Sequence, residues 1–223
     1  MPVISNRMDD RMARPREFDE EVVLGAAIQC FWNHGYEATS VRDLVKKTGI
    51  TSASLYNAFG DKRAFYQRAL DRYVEESVGD RIRRCEELAP REAIAAFFAE
   101  ILRRSLDDPE HKGCMLVNAA LDVAPHDPDF QKTVAGVLVR IEAFFRSCVE
   151  AGQADGTIMR SLSAETLAYH LLGVLMGVRV LARVRPEPAL LEGVVAPALL
   201  LLDRSGDEGS SSGRVRGDLR AGG

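Results

Sequence analysis

The stretch from Thr39 to Phe65, TSVRDLVKKTGITSASLYNAFGDKRAF, constrains this chain more than any other. Val41, Leu44 and Val45 mark the apolar face of a helix opened by Thr39 or Ser40, and Asp43 stands where it closes a capping box on Ser40. Thr48-Gly49 ends that helix, because glycine takes the positive φ of a helix terminus without steric cost, and Ile50 packs back into the pair. Thr51 is an N-cap for a second helix in which Leu55 and Phe59, four apart, face inward. The opposite side, Ser52, Ala53, Tyr56 and Asn57, is then presented outward. Two short helices around a glycine turn, the second with a small polar outer face, have the layout of a helix-turn-helix; an ordinary helical hairpin shares the skeleton.

Charge decides whether a nucleic-acid partner is reasonable. The chain of 223 residues has a net charge of -4, which argues against one. From Thr39 to Arg68, however, the cations Arg42, Lys46, Lys47, Lys62, Arg63 and Arg68 face only Asp43 and Asp61, a local charge of +4 that leaves -8 for the rest. A basic patch on an acidic protein suits phosphate contacts confined to one face, although a solvated helix surface has the same composition.

With these residues in view, the run Thr39, Val41, Leu44, Gly49-Ile50-Thr51, Leu55-Tyr56, Phe59, Lys62 and Phe65 resembles the signature of the TetR family of transcriptional regulators. Val45, where the family usually has alanine, and Asn57-Ala58 depart from it. The resemblance implies an all-α chain with an N-terminal three-helix DNA-binding domain and a C-terminal helical domain for ligand binding and dimerisation. It further implies a homodimer, most often a repressor, that binds a palindromic double-stranded operator and is released by a small-molecule effector. The expected divisions are a flexible arm over 1–16, the DNA-binding domain over 17–72, the body over 73–203 and a disordered tail over 204–223.

Length and 46% hydrophobic composition agree with two domains, each with its own core. Cys30, Cys85, Cys114 and Cys148 are scattered, with no CxxC and no Cys/His cluster at ligand spacing, so neither a metal site, a cofactor nor a disulfide framework is expected. The first 16 residues mix Arg and Asp without an apolar stretch, and a cytoplasmic protein is expected. Arg7, Arg11, Arg14 and Arg16 there suit either a minor-groove arm or a frayed terminus.

Beyond the motif, periodicity predicts helices over Phe18–His34, from Asp61 to about Leu88, and over Arg91–Leu106, Cys114–Val123, Phe130–Ala151, Ala164–Val184 and Ala189–Leu202. Pro125 and Pro128 are expected to break the chain between the fourth and fifth of these. The last two helices are apolar around more than one face. His170, Arg179 and Arg183 interrupt the first of them, which favours a doubly buried soluble helix over a membrane span. A second copy is the simplest cover for its other side, and Gly173 and Gly177, one turn apart, allow close approach in a two-fold four-helix bundle.

In the recognition helix, Ser52, Ala53 and Asn57, with Ser54 beside them, are the candidates for base edges. Arg42 suits either guanine or phosphate. Tyr56 and Lys62 match family positions that touch the DNA backbone, and Thr39 and Thr51 lie at helix N-termini where phosphate binds. In the body, Phe97, Phe98, Ile101, Cys114, Met115, Asn118, Phe144, Tyr169, His170 and Met176 are candidate effector contacts, each with plain core as the alternative. Cys114 follows Gly113 at a predicted helix start, where the helix dipole favours a thiolate; Gly113-Cys114-Met115-Leu116-Val117 is similar to a stretch in a TetR branch that includes electrophile sensors. Two other readings remain open: a helical redox protein or enzyme using Cys114 with His111 or His126, and a DNA binder without ligand control. No acid/base pair at motif spacing and no Gly-rich phosphate loop supports the enzyme.

Overall fold

The computed structural model describes residues 18–203, and every regular element among them is helical. The expected arm and tail lie outside the described residues. Two compact units emerge: one holds the described residues up to Ser77 together with Cys114–Val134, the other Val78–Gly113 and the chain from Ala135 onward. This division differs from the expected one, because residues 114–134 pack with the N-terminal helices.

In the first unit, α1 (Glu20–His34) starts on Asp19, whose carboxylate accepts from the Glu21 and Val22 amides, and ends at Gly35 with φ 80°. Val23, Leu24, Ala27, Ile28, Cys30 and Phe31 recur at helical spacing, and all are buried. The short α2 (Val41–Thr48) and α3 (Ser52–Phe59) follow, then α4 (Lys62–Val74), capped by Asp61 on the Ala64 amide at 2.7 Å. α7 (Met115–Asp122) and the first turns of α8 (Pro128–Asp155) complete the unit. The core is aromatic. Phe31 meets the rings of Tyr66 at 4.9 Å, Phe65 at 6.2 Å and Tyr36 at 6.4 Å, while Tyr66 reaches Phe130 at 5.3 Å and Phe59 stacks on Phe65 at 4.2 Å.

Two sequence expectations need correction. Pro128 does not merely interrupt the chain; it opens α8, where its missing N–H costs nothing because the first helical amides have no partner anyway. The long helix expected from Asp61 to about Leu88 is not continuous: Glu75–Gly79 form a π-helical turn before α5 (Asp80–Cys85). That turn coincides with the division between the units after Ser77, whose hydroxyl donates to the Tyr73 carbonyl at 2.6 Å. An extra residue in a turn does not alter apolar periodicity enough to be read from sequence.

The second unit contains α5, α6 (Pro90–Leu106), the rest of α8, α9 (Ala164–Val184) and α10 (Pro188–Leu200). Phe97, Phe98, Phe144 and Phe145 interlock with ring centroids 5.2–5.7 Å apart across α6 and α8. α9 packs on α6 and α10. It is the one described helix long and apolar enough to cross a membrane by length and composition, with a mean hydropathy of 1.5 over its best window, yet only 39% of that window is buried. Tyr169, Val180 and Val184 remain exposed on α9, and a Cβ added at Gly173 or Gly177 would meet nothing within 4 Å. These positions form one open face at helical spacing.

Candidate nucleic-acid interface

The motif's geometry follows from its caps. Ser40 Oγ accepts from the Asp43 amide at 3.2 Å while Asp43 Oδ2 accepts from the Ser40 amide at 2.9 Å, a complete capping box at the start of α2. The Ser40 hydroxyl, which donates to Asp43 Oδ2 at 2.5 Å, and then the Ser40 amide hold the Asp43 carboxyl below its usual range. Gly49, at φ 76° and ψ 3°, supplies the left-handed residue that ends α2. Thr51 Oγ1 accepts from the Ser54 amide at 3.1 Å and donates to Ser54 Oγ at 2.9 Å, which starts α3.

Leu44 and Leu55 are fully buried and Phe59 nearly so, each side chain stabilising the packed motif by about 1.5–3 kcal/mol. With those three inward, Ser52, Ala53, Tyr56 and Asn57 lie on the exposed side of α3, and Arg42 is exposed on α2. Ser54 is half-buried beside them. Short side chains on the first turns of a recognition helix let the backbone approach base edges closely, and Asn57 offers the donor and acceptor that pair with adenine.

Thr39 belongs elsewhere. Its side chain is buried and its hydroxyl donates to the Gly35 carbonyl at 2.6 Å, so that hydroxyl closes the α1–α2 corner and does not face solvent. The Thr51 hydroxyl is likewise committed to Ser54, although the residue is exposed. Lys62 is half-buried; its ammonium donates to the Glu37 carbonyl at 3.3 Å and lies 4.4 Å from the Tyr36 ring centroid, leaving two donors for a phosphate.

The sequence-level charge count also changes meaning. Arg68 bonds Glu20 and the Ala58 carbonyl, and Arg72 bonds Glu21 and Glu76. Arg63 forks onto Asp127 at 2.6 and 2.8 Å and reaches Asp129 at 2.8 Å, its guanidinium 5.2 Å from the Phe130 ring. Asp127 also accepts from the Asp129 and Phe130 amides, so one carboxylate both caps α8 and clamps α4. Nothing in the sequence flags this pair, because its partners stand 64 positions apart.

The Arg63 hydrogen bonds, with the two amides, hold the Asp127 carboxyl down at about 2, against an unfolded value of about 3.9. A depressed carboxyl contributes stability that is complete above its unfolded pKa and is lost as pH falls toward the folded one. The urea midpoint is therefore expected to decline between about pH 4 and pH 2, and Asp127→Asn is expected to flatten that decline while lowering the plateau above it. A variant with the same acid limb as the parent would refute the clamp.

The candidate effector residues separate by unit. Phe97, Phe98, Ile101 and Phe144 are buried in the second unit, where Tyr169 and His170 lie on the exposed face of α9 and Met176 is half-buried. Tyr169 donates to Glu165 at 2.9 Å. Cys114, Met115 and Asn118 are buried in the first unit. Cys114 is the N-cap of α7, as its sequence position suggested, and its sulfur accepts from the Tyr73 hydroxyl at 3.6 Å. Among the described residues, no three His, Cys, Asp or Glu side chains stand where they could hold a metal ion.

Comparison with known proteins falls on the same two regions. Residues 23–69 match the family described as "Bacterial regulatory proteins, tetR family", and residues 90–196 match "Tetracyclin repressor-like, C-terminal domain". The chain is 32% identical over 181 residues to the HTH-type transcriptional repressor ComR of Escherichia coli K12, covering 80% of this chain and 85% of that protein. It is 32% identical over 197 residues to the HTH-type transcriptional regulator YezE of Bacillus subtilis 168, covering 86% of this chain and all of that one. Among solved structures, a cysteine mutant of the TetR family regulator CifR complexed with 26 bp double-strand operator DNA aligns with a TM-score of 0.75 at 31% identity, over 84% of this chain and 98% of that one. The capped helix pair, its outward serine, alanine and asparagine, and these likenesses over most of the chain agree: the chain belongs to the TetR family of bacterial regulatory proteins.

Proposed function

We propose that this chain is a homodimeric transcriptional repressor that binds a two-fold operator through α3 and is released by a small-molecule effector. The observation that carries the reading is the exposed row Ser52, Ala53, Tyr56 and Asn57, held outward by burial of Leu55 and Phe59. ComR is named a repressor and CifR was solved on operator DNA, and both are alike to this chain over most of their length. Regulation, and no enzymatic reaction, is the role, and the cytoplasm, where the DNA is, is its place. The open apolar face of α9, with the exposed edge of α10, suits pairing with a second copy, two helices from each. Half-sites then fall about 10 bp apart or at a multiple of it. The effector is received by the body, whose aromatic residues Phe97, Phe98 and Phe144 provide apolar contact.

The test is an electrophoretic mobility shift on the DNA upstream of the protein's own gene, with excess unrelated competitor. A shift that survives competitor is expected; its loss there and on neighbouring promoters would overturn the reading. Within that assay Tyr56→Phe, which removes a backbone-contacting hydroxyl, is expected to weaken all duplexes similarly, by about 1 kcal/mol. Asn57→Ala is expected to cost about 1–3 kcal/mol on the preferred operator and to relax preference at particular bases. Exchange of these two outcomes would reverse the assigned roles.

A further inference from the structure

Between α1 and α2 lies a groove of about 380 Å³ lined by Gln29, Asn33, His34, Asp43, Lys46 and Lys47, with the buried Cys30 among its lining. Of the cations on α1 to α4, Arg63, Arg68 and Arg72 are paired with carboxylates, while Lys62 donates to the neutral Glu37 carbonyl and keeps its charge. Arg42, Lys46 and Lys47 make no hydrogen bond or ion pair among the described residues, and all three stand on α2. Most of the unpaired positive charge of the DNA-binding region is therefore on this one helix, and two of its three charges border the groove.

The groove's remaining chemistry is that of a donor. Gln29 and Asn33 are exposed amides without a side-chain hydrogen bond among the described residues. The one acid in the lining, Asp43, is already engaged by the Ser40 amide at 2.9 Å and the Ser40 hydroxyl at 2.5 Å. Burial first, then the nearby Asp43, keeps the Cys30 thiol protonated, so it supplies neither a nucleophile nor a negative charge. A helix dipole favours lysines in a last turn but does not bring amides from a second helix around them. Ammonium and amide donors on exposed surface, next to a recognition helix, fit phosphate oxygens; in helix-turn-helix proteins the first helix of the pair crosses the DNA backbone.

We propose that the α1–α2 groove is a second DNA contact, in which Lys46 and Lys47, with Asn33 and Gln29, grip backbone phosphates outside the bases that α3 reads. The proposal rests on the reading of the chain as a DNA-binding regulator and adds to it an edge that carries affinity without sequence information. Each lysine neutralises one phosphate and releases its condensed counterion, a contribution of about 0.9 to the slope of log K against log salt.

The test measures binding of the full chain by fluorescence anisotropy between 50 and 200 mM salt, on the upstream fragment and on a scrambled duplex of equal length. Lys46→Gln/Lys47→Gln removes four lysines from a bound dimer and is expected to reduce the salt slope by about 3.6 on both duplexes, so that the parent's advantage shrinks about 150-fold across this salt range. Lys46→Arg/Lys47→Arg is expected to keep the slope. Arg103→Gln/Lys132→Gln changes the net charge equally at exposed positions off the groove and is expected to keep it too. A parental slope in the glutamine pair, or an equal loss in the Arg103/Lys132 pair, would overturn the proposal. A parent that does not prefer its upstream fragment would overturn the regulator reading instead, while slopes on the scrambled duplex would still judge the groove.

Discussion

Phe31→Ala is expected to unfold much of the DNA-binding unit, with a loss of about 3–5 kcal/mol measured by urea denaturation. Phe31 is 2% exposed and meets three rings, those of Tyr36, Phe65 and Tyr66, contributed by the α1–α2 corner and α4. Removing the ring leaves a void that no single neighbour can fill, because those rings are themselves fixed by Phe59 and Phe130. Set against a typical total stability of about 5–15 kcal/mol, the loss is a large share, and the mobility shift is expected to disappear with it. Phe31→Leu, which keeps most of the volume, is expected to cost less and to retain binding. A parental urea midpoint for Phe31→Ala would show that this ring does not hold the unit together.

Val180→Glu is expected to break the dimer. Val180 is 44% exposed on the α9 face that also carries Gly173, Gly177 and Val184. Pairing with a second copy would bury a glutamate there without a partner, twice per two-fold dimer. One uncompensated buried charge costs about 3–5 kcal/mol, which converts to a rise of about 10²–10³-fold or more in the dissociation constant. Sedimentation equilibrium at micromolar concentration is expected to find monomers, and operator affinity should fall because two half-sites no longer bind together. Leu121→Glu, at a still more exposed apolar residue on α7, is expected to leave association unchanged. A dimeric Val180→Glu protein would place the interface elsewhere.

The two variants differ in how far their effects could be foreseen. The inward stripe of α1, with Phe31 in it, is a local pattern, and so are the capping box on Ser40, the left-handed Gly49 and the division of α3 into Leu55 and Phe59 inside and Asn57 outside. The open face of α9 was foreseeable in outline, because a helix apolar on several sides needs more than one neighbour. Its membership was not: Tyr169 and His170 read as interior candidates, and the fold turns them outward.

The sequence by itself determined most helix positions, caps, the glycine turn and the exposed face of α3, because each depends on residues within about four positions of one another. Only the tertiary structure decided which charges are free. Arg63 and Arg68 look identical in sequence to Arg42, Lys46 and Lys47, yet the first two are spent on Asp127 and Glu20, from distant elements. It also decided that Thr39 is buried, that a π-helical turn interrupts the helix after Val74, and that residues 114–134 pack with the N-terminal helices. Local geometry is written in short-range spacing, but ion pairing and burial depend on which segments the folded chain brings together, and a one-dimensional pattern does not encode that distance.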